Sequence, residues 1–197
     1  MSAPKKLQPI SVADYLAGEL VSSVKHEYLG GAVYAMAGAR NSHNLIATNI
    51  TGSLFGRLRG KKCRPCNSDT KIRLGTSAFT RFYYPDASVI CSSNPPGDSF
   101  QDHLVVLFEV LSRKTRRIDE GEKKDAYLTI PSLCVYALVE QDMPAITAFR
   151  RTEKGFVREV HEGLDAVLPL GEVEIELPLA DVYDRVEFTP EPEEPEV

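Results

Sequence analysis

The chain has no tryptophan, and aromatic residues make up only 8% of its 197 positions. Such scarcity argues against a cleft whose aromatic side chains stack on sugar rings, and so against a two-carboxylate glycoside hydrolase. No apolar run approaches the roughly 18–20 residues that a membrane span needs. The opening Met-Ser-Ala-Pro-Lys-Lys lacks the apolar core of a signal peptide. A soluble, cytoplasmic protein without a membrane partner is therefore expected. Cysteine is also scarce, with four in all, and in that compartment free thiols are expected. Cys63-Arg-Pro-Cys66 is a lone CxxC; no second CxxC or closely spaced histidine pair completes a zinc site. His26, His103 and His161 show no metal-ligand spacing. There is no internal repeat, and no recognition-helix motif says which bases, if any, are read.

What is present fits one domain with a sizeable core, since 43% of the residues are apolar. Net charge is −5, from 23 basic and 28 acidic residues, and the imbalance is local. Residues 187–197 hold five glutamates, no base, and Pro190, Pro192 and Pro195, which marks an acidic disordered tail. The remaining 186 residues are balanced, so the acidic total does not count against a polyanionic partner. Residues 1–10 read as a flexible arm, leaving 11–186 as the domain.

Ser11 caps a short helix that Gly18 stops. Lys25 to Met36 alternates around Gly30-Gly31, the pattern of a β-hairpin. From Ser42 to Leu58, Leu45, Ile46, Ile50, Leu54 and Leu58 recur at helical spacing. The cluster Arg57, Arg59, Lys61, Lys62, Arg64 follows. Cys66 to Leu74 reads as a strand with Asp69 near its middle, and Arg81 to Cys91 as the next, with a Pro- and Gly-containing loop after it. Leu104 to Leu111 is the most hydrophobic run and reads as a central strand buried on both faces. Ile118 to Ile130 is helical up to Pro131, and Val135 to Glu140 is a strand. Ala145 to Arg151 and Phe156 to His161 form a hairpin, Val173 to Glu176 a short strand, and Leu179 to Val186 a last helix. The fold class is α/β (α+β): a mixed sheet with a long helix on either side.

Two of these strands carry an acid that a sheet interior would not normally tolerate: Asp86 after Pro85, and Glu109 between Phe108 and Val110. A lone buried carboxylate is costly unless it is paired or bound to metal. Carboxylates from neighbouring strands can meet on one face and offer hard oxygen ligands to Mg²⁺. An ion held there would lower the pKa of a bound water and neutralise a phosphodiester. The plainer alternative is that Asp86 caps a turn and Glu109 pairs with an arginine.

Pro85-Asp86, Glu109-Val-Leu-Ser112 and Asp119-Glu-Gly-Glu-Lys123-Lys-Asp-Ala-Tyr127, followed by Ile130-Pro131-Ser-Leu and Tyr136-Ala-Leu-Val, resemble the Uma-type restriction endonucleases of the PD-(D/E)xK nuclease superfamily. The likeness spans roughly residues 11–185 and is most specific over 84–140. It implies a restriction-endonuclease-like mixed sheet flanked by helices and a metal-dependent endonuclease acting on DNA. Asp86 and Glu109 would be the ligands of Mg²⁺ (or Mn²⁺). Leu111 stands two residues after Glu109, where the superfamily's simplest pattern has a lysine. In the Uma-type branch that lysine moves to the next helix, which points to Lys123, with Lys124 as the competing candidate. An i,i+4 ion pair with Asp119 is the structural alternative for Lys123. The family pattern also has a glutamate at Glu27, as a third acid, and a histidine at His43, in reach of phosphate. Arg113, Lys114, Arg116 and Arg117, just past Glu109, with Lys124, would face the nucleic acid. A homodimer would suit cutting both strands of a duplex; a catalytically inactive module that binds nucleic acid or a protein is the competing reading.

Overall fold

The computed structural model describes residues 8–75 and 79–188; most of the expected arm and most of the acidic tail lie outside them. At the arm's end the Ile10 amide donates to the Gly31 carbonyl at 2.9 Å. Helix α1 (Val12–Glu19) starts at Ser11, whose hydroxyl accepts from the Asp14 amide. Strands β1 (His26–Leu29) and β2 (Ala32–Ala35) form the expected hairpin. Its two-residue turn needs left-handed backbone, supplied by Gly30 and Gly31 at φ 56° and 104°.

Helix α2 (Asn41–Leu58) buries Ile46, Ile50, Leu54 and Leu58, a stripe repeating every four residues. Where one strand was expected over Cys66 to Leu74, there are two: β3 (Arg64–Asn67) and β4 (Ile72–Leu74). Between them the Asn67 side chain accepts from the Asp69 amide, an Asx turn that places Asp69 outside any strand. The Arg81 to Cys91 run likewise divides into β5 (Arg81–Tyr83) and β6 (Ala87–Ile90). Pro85 breaks the ladder between them because it has no amide to donate.

These breaks redistribute the chain among separate sheets. A four-stranded sheet runs β2-β1-β5-β4. The larger sheet runs β10-β9-β8-β7-β6-β3, where β7 is Leu104–Val110, β8 Val135–Val139, β9 Ala145–Thr152 and β10 Gly155–Glu162. Strand β7 is central, as its composition suggests, antiparallel to β6 and parallel to β8. A third sheet pairs β11 (Val167–Leu170) with β12 (Ile175–Pro178). The sequence reading missed β11, which contains Pro169, and began β12 two residues early. The last helix, α5 (Leu179–Val182), is shorter than expected.

One face of the large sheet packs Ala87, Val89, Val106, Phe108 and Val110 against the α2 stripe and the β11–β12 segment. The other face packs Leu104, Leu107, Leu111 and Tyr136 against Tyr127, Ile130 and Leu133. The helical stretch on that side is not a plain α-helix. It runs as α3 (Arg116–Ile118), a π turn (Asp119–Lys123) and α4 (Lys124–Tyr127). The expectation of free thiols is corrected for two cysteines. Arg64 lies opposite Ile90, so Cys63 and Cys91 meet across β3 and β6 and form a disulfide.

Candidate active site

Strand register decides whether the two key acids can cooperate. Ala87 lies opposite Phe108 in the antiparallel β6–β7 pair, so one step further Asp86 faces Glu109. Directly opposite residues of antiparallel strands share a face. Asp86 caps the end of that ladder: its Oδ2 accepts from the Val110 amide at 2.7 Å. The same oxygen lies 3.3 Å from Nε2 of His43, in the first turn of α2. Burial opposes protonation of His43, but its hydrogen bond to Asp86 and the charges of Asp86 and Asp119 outweigh this and raise its pKa.

Glu109 is 4% exposed, and its Oε1 accepts from the Tyr127 hydroxyl at 3.1 Å. Burial pushes its carboxyl well above the usual range, with Lys123 pulling the other way. Lys123 reaches the same place from the π turn. Its Nζ lies 2.8 Å from Glu27 Oε1, 3.6 Å from Asp119 Oδ1 and 3.7 Å from Glu109 Oε1. Burial alone would lower the pKa of this ammonium; Glu109, Glu27 and Asp119 together raise it, so it stays charged. Asp119, 2% exposed, is itself pushed up by burial against the pull of Lys123.

Glu27, His43, Asp86, Glu109, Asp119 and Lys123 line one cleft of about 780 Å³. The β1–β2 hairpin, the start of α2, the end of β7 and the π turn wall it. Among the described residues the ionic and hydrogen-bond partners of Glu109 include Lys123 and Tyr127, and those of Asp86 include Val110 and His43; none of these is an arginine. The fold does not bring Lys124 here; its ammonium lies over the Phe149 ring, 5.2 Å from the centroid. Arg113 and Lys114 line the cleft mouth. Arg116 is engaged by Glu140 and Glu120, and Arg117 is exposed. Asp69 stands apart, paired with Lys25 at 2.7 Å.

Sequence reasoning left Asp119 and Tyr127 without a role in the site. The available signal was their place four residues either side of Lys123. Among the described residues no group of three or more His, Cys, Asp or Glu side chains is arranged to hold a metal ion. Asp86 and Glu109 offer two carboxylates instead. That donor set suits Mg²⁺, which keeps several waters and takes one or two carboxylates plus substrate oxygens.

A mixed sheet with acids facing each other on adjacent strands, and a lysine delivered by the following helix, has the restriction-endonuclease-like fold. The chain belongs to the Uma2 family, described as "Putative restriction endonuclease", which matches residues 12–180. It is 33% identical over 157 residues to an uncharacterized protein of Synechocystis, covering 78% of this chain and 80% of that one. A second uncharacterized Synechocystis protein is 29% identical over 135 residues, covering 67% and 75%. In fold it resembles the crystal structure of a "putative nuclease belonging to DUF820" from Anabaena variabilis. The TM-score is 0.68 at 16% identity, over 89% of this chain and 98% of that one. Among the described residues no helix is long and apolar enough to cross a membrane.

Proposed function

We propose that the protein is a metal-dependent endonuclease that hydrolyses DNA phosphodiester bonds. The observation that carries this reading is the convergence of Glu27, Asp86, Glu109 and Lys123 in one cleft. Asp86 and Glu109 would hold Mg²⁺ or Mn²⁺. A bound divalent ion supplies a water of lowered pKa and neutralises phosphate charge. Lys123 enters as a fixed positive charge rather than as a base, because three carboxylates keep it protonated. It orients the attacking water and stabilises charge on the phosphoryl oxygens in the transition state. Glu27 sets the lysine's position, Tyr127 fixes one oxygen of Glu109, and His43 braces Asp86 from the start of α2. Arg113 and Lys114 at the mouth attract the phosphate backbone. A homodimer would place two such clefts to cut both strands.

The second reading is a nuclease fold that binds without cutting, favoured by Leu111 where the simplest superfamily pattern has lysine. Incubation with single- and double-stranded DNA and with RNA, in Mg²⁺ or Mn²⁺, separates the two. Cleavage is expected in metal, with Asp86→Ala and Glu109→Ala each reducing the rate at least about a hundredfold. Salt-sensitive binding of nucleic acid with no cleavage under either metal selects the non-enzyme.

A further inference from the structure

The cleft lining holds the acids Glu27, Asp86, Glu109 and Asp119 and the bases Lys25, Arg40, Arg113, Lys114 and Lys123. Lys123 is engaged by three of those acids and Lys25 by Asp69, so a polyanionic substrate close to the carboxylates is repelled by them. Its affinity must come from nearby positive charge. A second hollow of about 590 Å³ adjoins the cleft and shares Arg40, Ser112, Arg113 and Gln141 with it. Its lining carries Arg40, Arg113, Arg116 and Arg185 against the acids Asp142 and Glu187. Arg116 is already held by Glu140 and Glu120 and serves as part of the wall. Arg185 approaches Asp184 at 3.7 Å, but both side chains are largely exposed, so that pairing is weak. Arg40 is exposed immediately before α2.

The shared wall is firm. Gln141, 7% exposed, accepts from the Ser42 hydroxyl at 3.1 Å and donates to the Leu111 carbonyl, tying α2 to the end of β7. The two hollows meet along this shared lining, with Asp86 and Glu109 in the first and Arg40, Arg113, Arg116 and Arg185 beside Asp142 and Glu187 in the second. Positive side chains spread along a hollow match a chain of phosphates better than one isolated phosphate.

We propose that the arginine-lined hollow holds the sugar–phosphate backbone of a nucleic-acid strand beside the bond to be cut, with Arg40 and Arg185 as its phosphate contacts. The proposal rests on the nuclease reading above for the word "cut", but its test reads binding alone. Wild type, Arg40→Ala/Arg185→Ala and Arg158→Ala, a control on β10, would be titrated with a fluorescent 20-nucleotide single-stranded DNA in EDTA at 0.05–0.3 M salt. Each single-strand phosphate contact contributes about 0.7 to the log–log salt slope. Loss of two should reduce the slope by about 1.4. If affinities converge at 1 M salt, binding at 0.1 M is about 25-fold weaker. Arg158→Ala should match wild type, and inorganic phosphate at matched ionic strength should compete poorly.

An unchanged slope in the double variant overturns the proposal, as does absence of wild-type binding or efficient competition by inorganic phosphate. Wild type that binds with the expected slopes, yet cleaves nothing in metal, overturns the nuclease reading and leaves this binding site standing. Cleavage by wild type with unchanged binding by the double variant does the reverse. Thermal unfolding confirms that the double variant is folded before it is scored.

Discussion

Replacing Lys123 by methionine removes one positive charge while keeping a side chain of similar length. At 2.8, 3.6 and 3.7 Å from Glu27, Asp119 and Glu109, with an effective dielectric near 20, each attraction is about 4–6 kcal/mol before desolvation. Burial of the ammonium takes back most of that sum. Removing one partner of a buried ion pair typically costs about 3–5 kcal/mol, because uncompensated charge stays behind. The acids can limit the damage by binding protons, and Glu109 is already pushed well upward by burial. A carboxyl with a raised folded-state pKa stabilises the fold below its unfolded value, and that contribution vanishes as pH rises through the folded value. Lys123→Met should therefore lose about 3–5 kcal/mol at pH 8 and clearly less at pH 5, measured by urea unfolding in EDTA. Adding Glu27→Gln should restore part of the loss, so the two changes are not additive. A variant within about 0.5 kcal/mol of wild type at pH 8 refutes this account. So does a deficit that widens on acidification.

Glu19 gives an opposite dependence on pH. Burial works to raise its pKa, but hydrogen bonds from Tyr84 and His26 and the charge of Lys71 outweigh it and hold the carboxyl low. Such a group stabilises the fold above its unfolded pKa of about 4.3, and the benefit is lost as pH falls through the folded value. Glu19→Gln should flatten the acid side of the stability curve between pH 3 and 5, and equal acid slopes would sink that reasoning. The Cys63–Cys91 bond closes a loop of sequence separation 28. Cys63→Ser/Cys91→Ser should sit about 2–4 kcal/mol below wild type in oxidising buffer. Reductant should bring wild type down to the same level; no response to reductant would show that the bond adds nothing.

Legibility of the chain followed the range of the interactions. The Gly30-Gly31 turn, the α2 stripe and the apolar run of β7 are local patterns, and all three were readable. Arg81 to Cys91 reads as one strand, so neither the break at Pro85 nor the change of sheet there was legible. That change depends on Tyr28 pairing with Phe82 and Ala87 with Phe108, contacts the local sequence does not encode. The division of Cys66 to Leu74 was hidden for the same reason. Periodicity could not separate Lys123 from Lys124, because a π turn shifts the phase of every later side chain. Family likeness favoured Lys123, and the geometry puts it in the cleft while Lys124 lies on Phe149. The carboxylate pair was legible because acids inside apolar runs stand out. Asp119 was not, since it lies in a charged segment where one more acid attracts no notice. The Cys63–Cys91 pairing was equally invisible, since it depends on the register between β3 and β6.

Glu27 sits on β1 of the smaller sheet, while Glu109 belongs to the larger one, and the Lys123 ammonium touches both. The rings of Tyr15, Tyr28 and Phe82 seat that smaller sheet with centroids 5.0–6.0 Å apart, and none of them lines the cleft. Tyr28 is the immediate neighbour of Glu27. Trimming one of these rings would let the hairpin settle differently and carry the glutamate with it. Remote aromatic packing thereby becomes a lever on the chemistry, able to detune the cleft without altering any group inside it.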